Sequence, residues 1–153
     1  MTNNIPKAGV SKIIGLLEFL HDFQDSKDAD EVASELKLDL DDILPVIKSS
    51  EMLGLVKVKD GQVSLTDLGL KILSQNIPER KEFFKTLILS KTILSKIIKN
   101  FGRETVVDRD DFIKFLESEI PEDVALHFEK IIEWGQYIEL LKYDRNEDEI
   151  EIH

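Results

Sequence analysis

Two stretches of the chain carry the same apolar pattern at a constant offset of 85 positions: Val46 with Ile131, Ile47 with Ile132, Leu53 with Ile138, Leu55 with Leu140, Val56 with Leu141 and Val58 with Tyr143. Beyond a turn the register resumes, Val63 meeting Ile150 and Leu65 meeting Ile152, shifted a little further because the second turn is longer. Such an echo restricts the chain to a unit that fits into about half of its 153 residues and is used twice. Any helix followed by a hairpin would produce part of this likeness without duplication, and that alternative stays open.

Local signals fill in the unit. Ile13, Leu16, Leu17, Leu20 and Phe23 recur at helical spacing and predict a first amphipathic helix. Asp28, with Glu31 three residues on, predicts a capped short helix through Val32 and Leu36. Asp41 and Asp42 open a third helix with Ile43, Val46, Ile47, Ser50 and Leu53 on one side, and Gly54 ends it. Pro45 is expected in the first turn of that helix, where a missing N–H has no partner to lose. Val56 to Lys59, then Asp60-Gly61, then Val63 to Leu65 predict a hairpin. Thr66 caps a further helix through Leu73, with Gly69 placed for a close approach.

The second half repeats the plan. Asn76 and Glu79 cap a single long helix from about Ile77 to Phe101, with Pro78 in its first turn. Asp108 opens a short helix through Phe112, Phe115 and Leu116, and Pro121, Glu122 and Asp123 start a longer one bearing Val124, Phe128, Ile131, Ile132 and Ile138. Leu141 to Tyr143 and Ile150 to Ile152 form the closing hairpin. Helices followed by a hairpin, twice, give the expected fold: mainly α with small β-hairpin wings, an α+β chain of tandem winged-helix units. The units are expected at residues 1–75 and 76–153, the second beginning with the long linking helix.

Much chemistry is excluded. Cysteine is absent, which removes disulfides, thiolate nucleophiles and cysteine-bound metals. No phosphate-binding loop signature occurs. His21, His127 and His153 stand apart, without ligand partners at helical spacing. Asp144, Asn146 and Asp148 imitate the start of a calcium loop, but Glu149 stands where glycine is needed and no closing glutamate follows, so they read as a polar turn. The expectation is no enzyme, no catalytic residue, no metal and no cofactor. No apolar run is long enough to span a membrane, and Met1 to Lys7 lack the basic start and apolar core of a secretory signal, so a cytoplasmic chain is expected.

Charge then bears on partners. A winged helix that reads DNA lays its third helix in the major groove and its hairpin on phosphates, and each phosphate contact needs Lys or Arg. Here the chain carries a net charge of −11. Asp41, Asp42 and Glu51 in the first such helix are offset by Lys48 alone, and Glu122, Asp123, Glu129, Glu133 and Glu139 in the second by Lys130 alone. Neither helix has an arginine to read guanine. Lys57 and Lys59 on the first hairpin are the candidate phosphate contacts if the chain is instead a DNA-binding transcription regulator. One segment, Arg80 to Arg103, runs basic; Lys85, Lys96, Lys99 and Arg103 are the candidates for docking an acidic protein surface, or else a solvated face. Trp134 and Tyr137 are candidates for an interface anchor or for packing within the protein.

Several runs together resemble a known family: Gly15 to Leu20, Asp41-Asp42-Ile43-Leu44-Pro45-Val46, Glu51-Met52-Leu53-Gly54-Leu55, Ser64 to Gly69, Ile77 to Phe84 and Ile132-Glu133-Trp134-Gly135-Gln136-Tyr137. From about Val10 to Ile152 the chain resembles the C-terminal AAA-associated domain, the region that follows the ATPase of some nitrate-, sulfonate- and taurine-type ABC transporters. The most specific pieces are the Asp-Asp-Ile-Leu-Pro step, the Pro-Glu-Arg-Lys run and the Trp-Gly-Gln-Tyr step. The resemblance implies an accessory, regulatory module peripheral to the inner membrane through a transporter partner. It carries over no catalytic residue. The ATPase itself is missing from the chain, so docking on a separate ATPase, self-association or another protein partner is expected.

Overall fold

The computed structural model describes residues 4–23 and 27–153; residues 1–3 and 24–26 lie outside that description. The chain is mainly helical with two small antiparallel three-stranded sheets, an α+β arrangement. It divides into two compact units, Pro6–Arg80 and Lys81–His153, with Asn4 and Ile5 belonging to the second. There the Ile93 amide donates to the Asn4 carbonyl at 3.1 Å.

The first unit runs α1 (Val10–Phe23), β1 (Lys27–Asp28), α2 (Ala29–Glu35), α3 (Leu40–Met52), β2 (Val56–Lys59), β3 (Gln62–Leu65) and α4 (Asp67–Leu73). Its apolar stripe behaves as the spacing predicts: Ile13, Leu16, Leu17 and Leu20 of α1 are buried against α3 and α4, while Phe23 at the end stays 42% exposed. Asp28 caps α2 by accepting the Glu31 amide at 2.8 Å. The hairpin turns on Asp60 and Gly61, both at positive φ, the pair a tight two-residue turn of this twist requires. β3 lies between β2 and β1.

At the hairpin's exit, the Thr66 hydroxyl donates to the Gly54 carbonyl at 2.7 Å and accepts the Gly69 amide at 3.1 Å, capping α4. A Cβ on Gly69 would stand 2.3 Å from the Leu55 carbonyl oxygen, so only glycine lets α4 come this close. Arg80 closes the other end of α4, its Nε and Nη2 donating to the Ile72 and Leu73 carbonyls.

α5 (Ile77–Lys91) crosses the division between the units. The second unit continues with α6 (Leu94–Phe101), β4 (Thr105–Asp108), α7 (Arg109–Glu119), α8 (Val124–Tyr137), β5 (Leu141–Asp144) and β6 (Glu149–Ile152). Its sheet order, β4-β6-β5, repeats that of the first unit, β1-β3-β2. The repetition reaches single hydrogen bonds. α3 ends with the Gly54 amide on Glu51 and the Leu55 amide on Ser50; α8 ends with Glu139 on Gln136 and Leu140 on Gly135. The Thr66 amide donates to Leu55 across the first sheet's end, and the His153 amide to Leu140 across the second.

Several expectations need correction. The single helix expected from Ile77 to Phe101 is two helices, broken at Thr92 and Ile93. The buried Thr92 hydroxyl donates to the Ile88 carbonyl at 2.7 Å and accepts the Leu94 amide at 3.2 Å, supplying the backbone with an alternative to the helical ladder. Pro45 lies in the second turn of α3, because the helix starts at Leu40, after Asp39. The Asp41 carbonyl thereby loses its helical donor, since proline has no N–H. As expected, α8 starts at Asp123, which stands at its N-cap position in a left-handed conformation at φ 51, and the His127 Nδ1 lies 3.0 Å from both the Glu122 and the Asp123 carbonyls. Carbonyls only accept, so that nitrogen carries the proton. Expectation also lacked β1 and β4, the third strand of each sheet.

Candidate docking surfaces

In the first unit, Asp41, Asp42, Lys48 and Glu51 are all exposed on α3, so the acidic balance of that helix is presented to solvent. Lys57 and Lys59 are exposed on the same face of β2, opposite Ser64 and Gln62. A cleft of about 520 Å³ opens elsewhere in this unit, lined mainly by apolar side chains, among them Leu16, Leu36, Leu38, Ile43 and Val46.

The basic run is dispersed. Lys85 is half-buried on α5, whereas Lys96 and Lys99 belong to α6, beyond the break. Lys96 Nζ lies 3.4 Å from a Glu119 carboxylate oxygen of α7. Gly102, at φ 88, ends α6 and takes Arg103 off the helix; its guanidinium donates to the His153 carbonyl at 3.2 Å. These four candidates therefore do not lie along one helix, and of the two on α6 Lys99 is the one left exposed.

Trp134 is 1% exposed. Its ring lies 5.6 Å from that of Phe84 and 6.0 Å from that of Tyr137, distances at which tilted and edge-on aromatic pairs attract. Tyr137 is half-buried at the edge of this cluster, with Lys81 Nζ 5.8 Å from its ring centre. The Trp134 ring is thus a joint within the second unit, leaving only Tyr137 of the pair near the surface.

A different part of the second unit gathers chemistry that spacing alone did not flag. Over the exposed side of α8, a cleft of about 510 Å³ is lined by Arg109, Phe128, Glu129, Ile132, Tyr143 and Arg145, with other α8 residues completing it. Phe128 and Ile132 form an apolar floor, and Phe128 meets the Tyr143 ring edge-on at 5.4 Å. Arg109 lies 5.1 Å over Phe128, and Arg145 lies 5.0 Å over Tyr143. The Tyr143 hydroxyl donates to Asp148 at 3.0 Å, and the Tyr143 amide reaches the Gln136 side chain at 3.4 Å, which fixes the ring against α8. Among the described residues neither arginine has a carboxylate partner. Arg109 follows the cap of α7, where Asp108 accepts the Asp110 amide, and Arg145 sits in the hairpin turn, where Asp144 accepts the Asn146 and Glu147 amides. No local periodicity links two such positions; only the fold of the unit does. The sole available signal was that each arginine flanks an Asp-anchored turn.

No group of histidine, aspartate and glutamate side chains arranged to hold a metal ion occurs among the described residues, and among them no helix is long and apolar enough to cross a membrane. No curated protein and no solved structure matches the chain significantly. The model of one family, the C-terminal AAA-associated domain, matches residues 30–144, well over half of the sequence and spanning parts of both units. The chain belongs to the C-terminal AAA-associated domain family.

Proposed function

We propose that this chain is a non-enzymatic accessory module that docks on an ATPase and regulates it, the ATPase being that of an ABC-type importer for anions of the nitrate or sulfonate kind. The family match across residues 30–144 carries the reading. We read the two units as tandem winged helices, supported by the repeated helix, strand, helix, helix, hairpin order and by the shared sheet order. In that reading α3 and α8 occupy the groove-reading positions, and both expose more carboxylates than cations. Carboxylates facing phosphates would oppose the counterion release on which DNA affinity depends. A protein partner suits the same surfaces better. The proposed place of action is the cytoplasmic face of a membrane, held there by the transporter.

The test is co-purification of the chain with a purified importer ATPase, together with the rate of ATP hydrolysis with and without the chain. Stable capture and a changed rate are expected. A chain that neither binds such ATPases nor alters their turnover would end the reading. A gel shift on duplex DNA at low salt separates the rival: salt-sensitive binding abolished by Lys57→Glu and Lys59→Glu would replace the ATPase reading with that of a transcription regulator.

A further inference from the structure

We infer that the cleft over α8 is a docking site for an acidic, apolar-faced segment of a protein partner, with Arg109 and Arg145 as the groups that take its carboxylates. The inference rests on the docking reading above and gives it an address. Its starting point is an imbalance. The chain has 31 acidic against 20 basic residues, yet two arginines that line one cleft have no carboxylate partner among the described residues. Both instead lie over aromatic faces, Arg109 on Phe128 and Arg145 on Tyr143.

That arrangement suits a carboxylate. A guanidinium resting over an aromatic face keeps its N–H groups for other partners, and a carboxylate can take two of them in parallel hydrogen bonds. Stacking also orders the long side chain beforehand, so less freedom is lost on binding. Phe128 and Ile132, which line the same cleft, add apolar atoms for a neighbouring aliphatic or aromatic side chain. Arginine and tyrosine beside apolar side chains are among the residues enriched where proteins bind one another.

The cleft also discriminates. Glu129 and Glu133 line it, and Glu133 is already engaged by Lys130 at 3.3 Å. A nucleic acid, which carries an anion at every nucleotide, would bring phosphates against Glu129. A peptide segment places its carboxylates where it needs them and leaves Glu129 to one of its own donors. The observations therefore favour protein over polynucleotide.

The experiment maps amide shifts by NMR on the full chain during titration with a short peptide of repeated Leu-Glu-Glu, its Leu-Lys-Lys counterpart, and a DNA duplex. The acidic peptide is expected to move the Phe128, Gln136 and Tyr143 signals, and the lysine peptide to leave them in place. Arg145→Glu, on an exposed turn, should weaken the acidic peptide at least about tenfold without disturbing the rest of the spectrum. The double variant Arg109→Glu with Arg145→Glu should remove binding. Equal response to both peptides, no response at these residues, an unaffected Arg145→Glu variant, or a response to DNA alone would each overturn the inference. If ATPase capture persists undiminished in a folded double variant, the docking reading stands and this cleft is not its address.

Discussion

In the first unit, α3 turns Ser49 inward, and its hydroxyl accepts the Ala8 amide at 3.0 Å, tying the segment ahead of α1 to the helix. At the equivalent point of the second unit, 85 positions on, stands Trp134, packed on Phe84 at 5.6 Å. One residue further, Ser50 of the first unit donates its hydroxyl to the Val46 carbonyl, whereas Gly135 of the second has no side chain at all. At the helix end the exchange reverses: Gly54 holds the left-handed turn of the first unit, and Glu139 holds it in the second at φ 60. Backbone hydrogen bonds are shared while side chains trade places. The repeated frame is set by the pairing of main-chain groups, and each unit fills that frame according to what must pack beside it.

This comparison breaks most visibly if Trp134 is truncated. Trp134→Ala should cost about 3–5 kcal/mol, read as a lower urea midpoint for unfolding, because a buried ring leaves a cavity against Phe84 and Tyr137. Ser49→Ala, at the matching position, should cost only about 1–3 kcal/mol in the same measurement, the penalty of orphaning the Ala8 amide. Equal costs would mean that the two positions are not doing different work. Gly135→Ala comes next, at about 1–3 kcal/mol. Its new methyl would stand 2.5 to 2.8 Å from Leu141 side-chain atoms that include Cβ, and rotation cannot clear a Cβ.

The smallest effects should differ in sign. Gly54→Ala places a Cβ at φ 78 and is expected to lower stability by about 1 kcal/mol, while Glu139→Gly relieves a left-handed glutamate and is expected to raise it by up to about 1 kcal/mol. The loss of the exposed Glu139–Lys81 contact subtracts little from that gain. Thermal melts of the pair would show opposite shifts. Two shifts of the same sign would show that the turns are not equivalent in the way their hydrogen bonds indicate.

Much of the frame could be read from residues in advance, because it is written locally. Asp28 before Glu31, Asn76 before Glu79, Thr66 before Gly69 and the Asp60-Gly61 turn each act within a few residues of themselves, and each is found where those residues place it. What escaped depends on distant partners or on competition. β4 is a strand because Val107 pairs with Ile150, far along the chain; β1 has only two residues and depends on β3. The break at Thr92 and Ile93 sets one hydroxyl and the distant Asn4 carbonyl against the helical ladder, neither of which apolar periodicity registers. The docking candidates fared by the same logic. Lys96 and Lys99 share α6 but Arg103 lies beyond its end, whereas Arg109 and Arg145 share a cleft without any spacing.

The jog at Thr92 has a consequence for phase. A helix running unbroken from Ile77 would advance every later side chain by a fixed angle about one axis, so lysines at either end would hold a constant bearing to each other. Because the break resets that angle, the bearing of Lys96 and Lys99 relative to Lys85 is set at Thr92, whose hydroxyl takes the Leu94 amide, and at Ile93, whose amide goes to Asn4, rather than by the length of the rod.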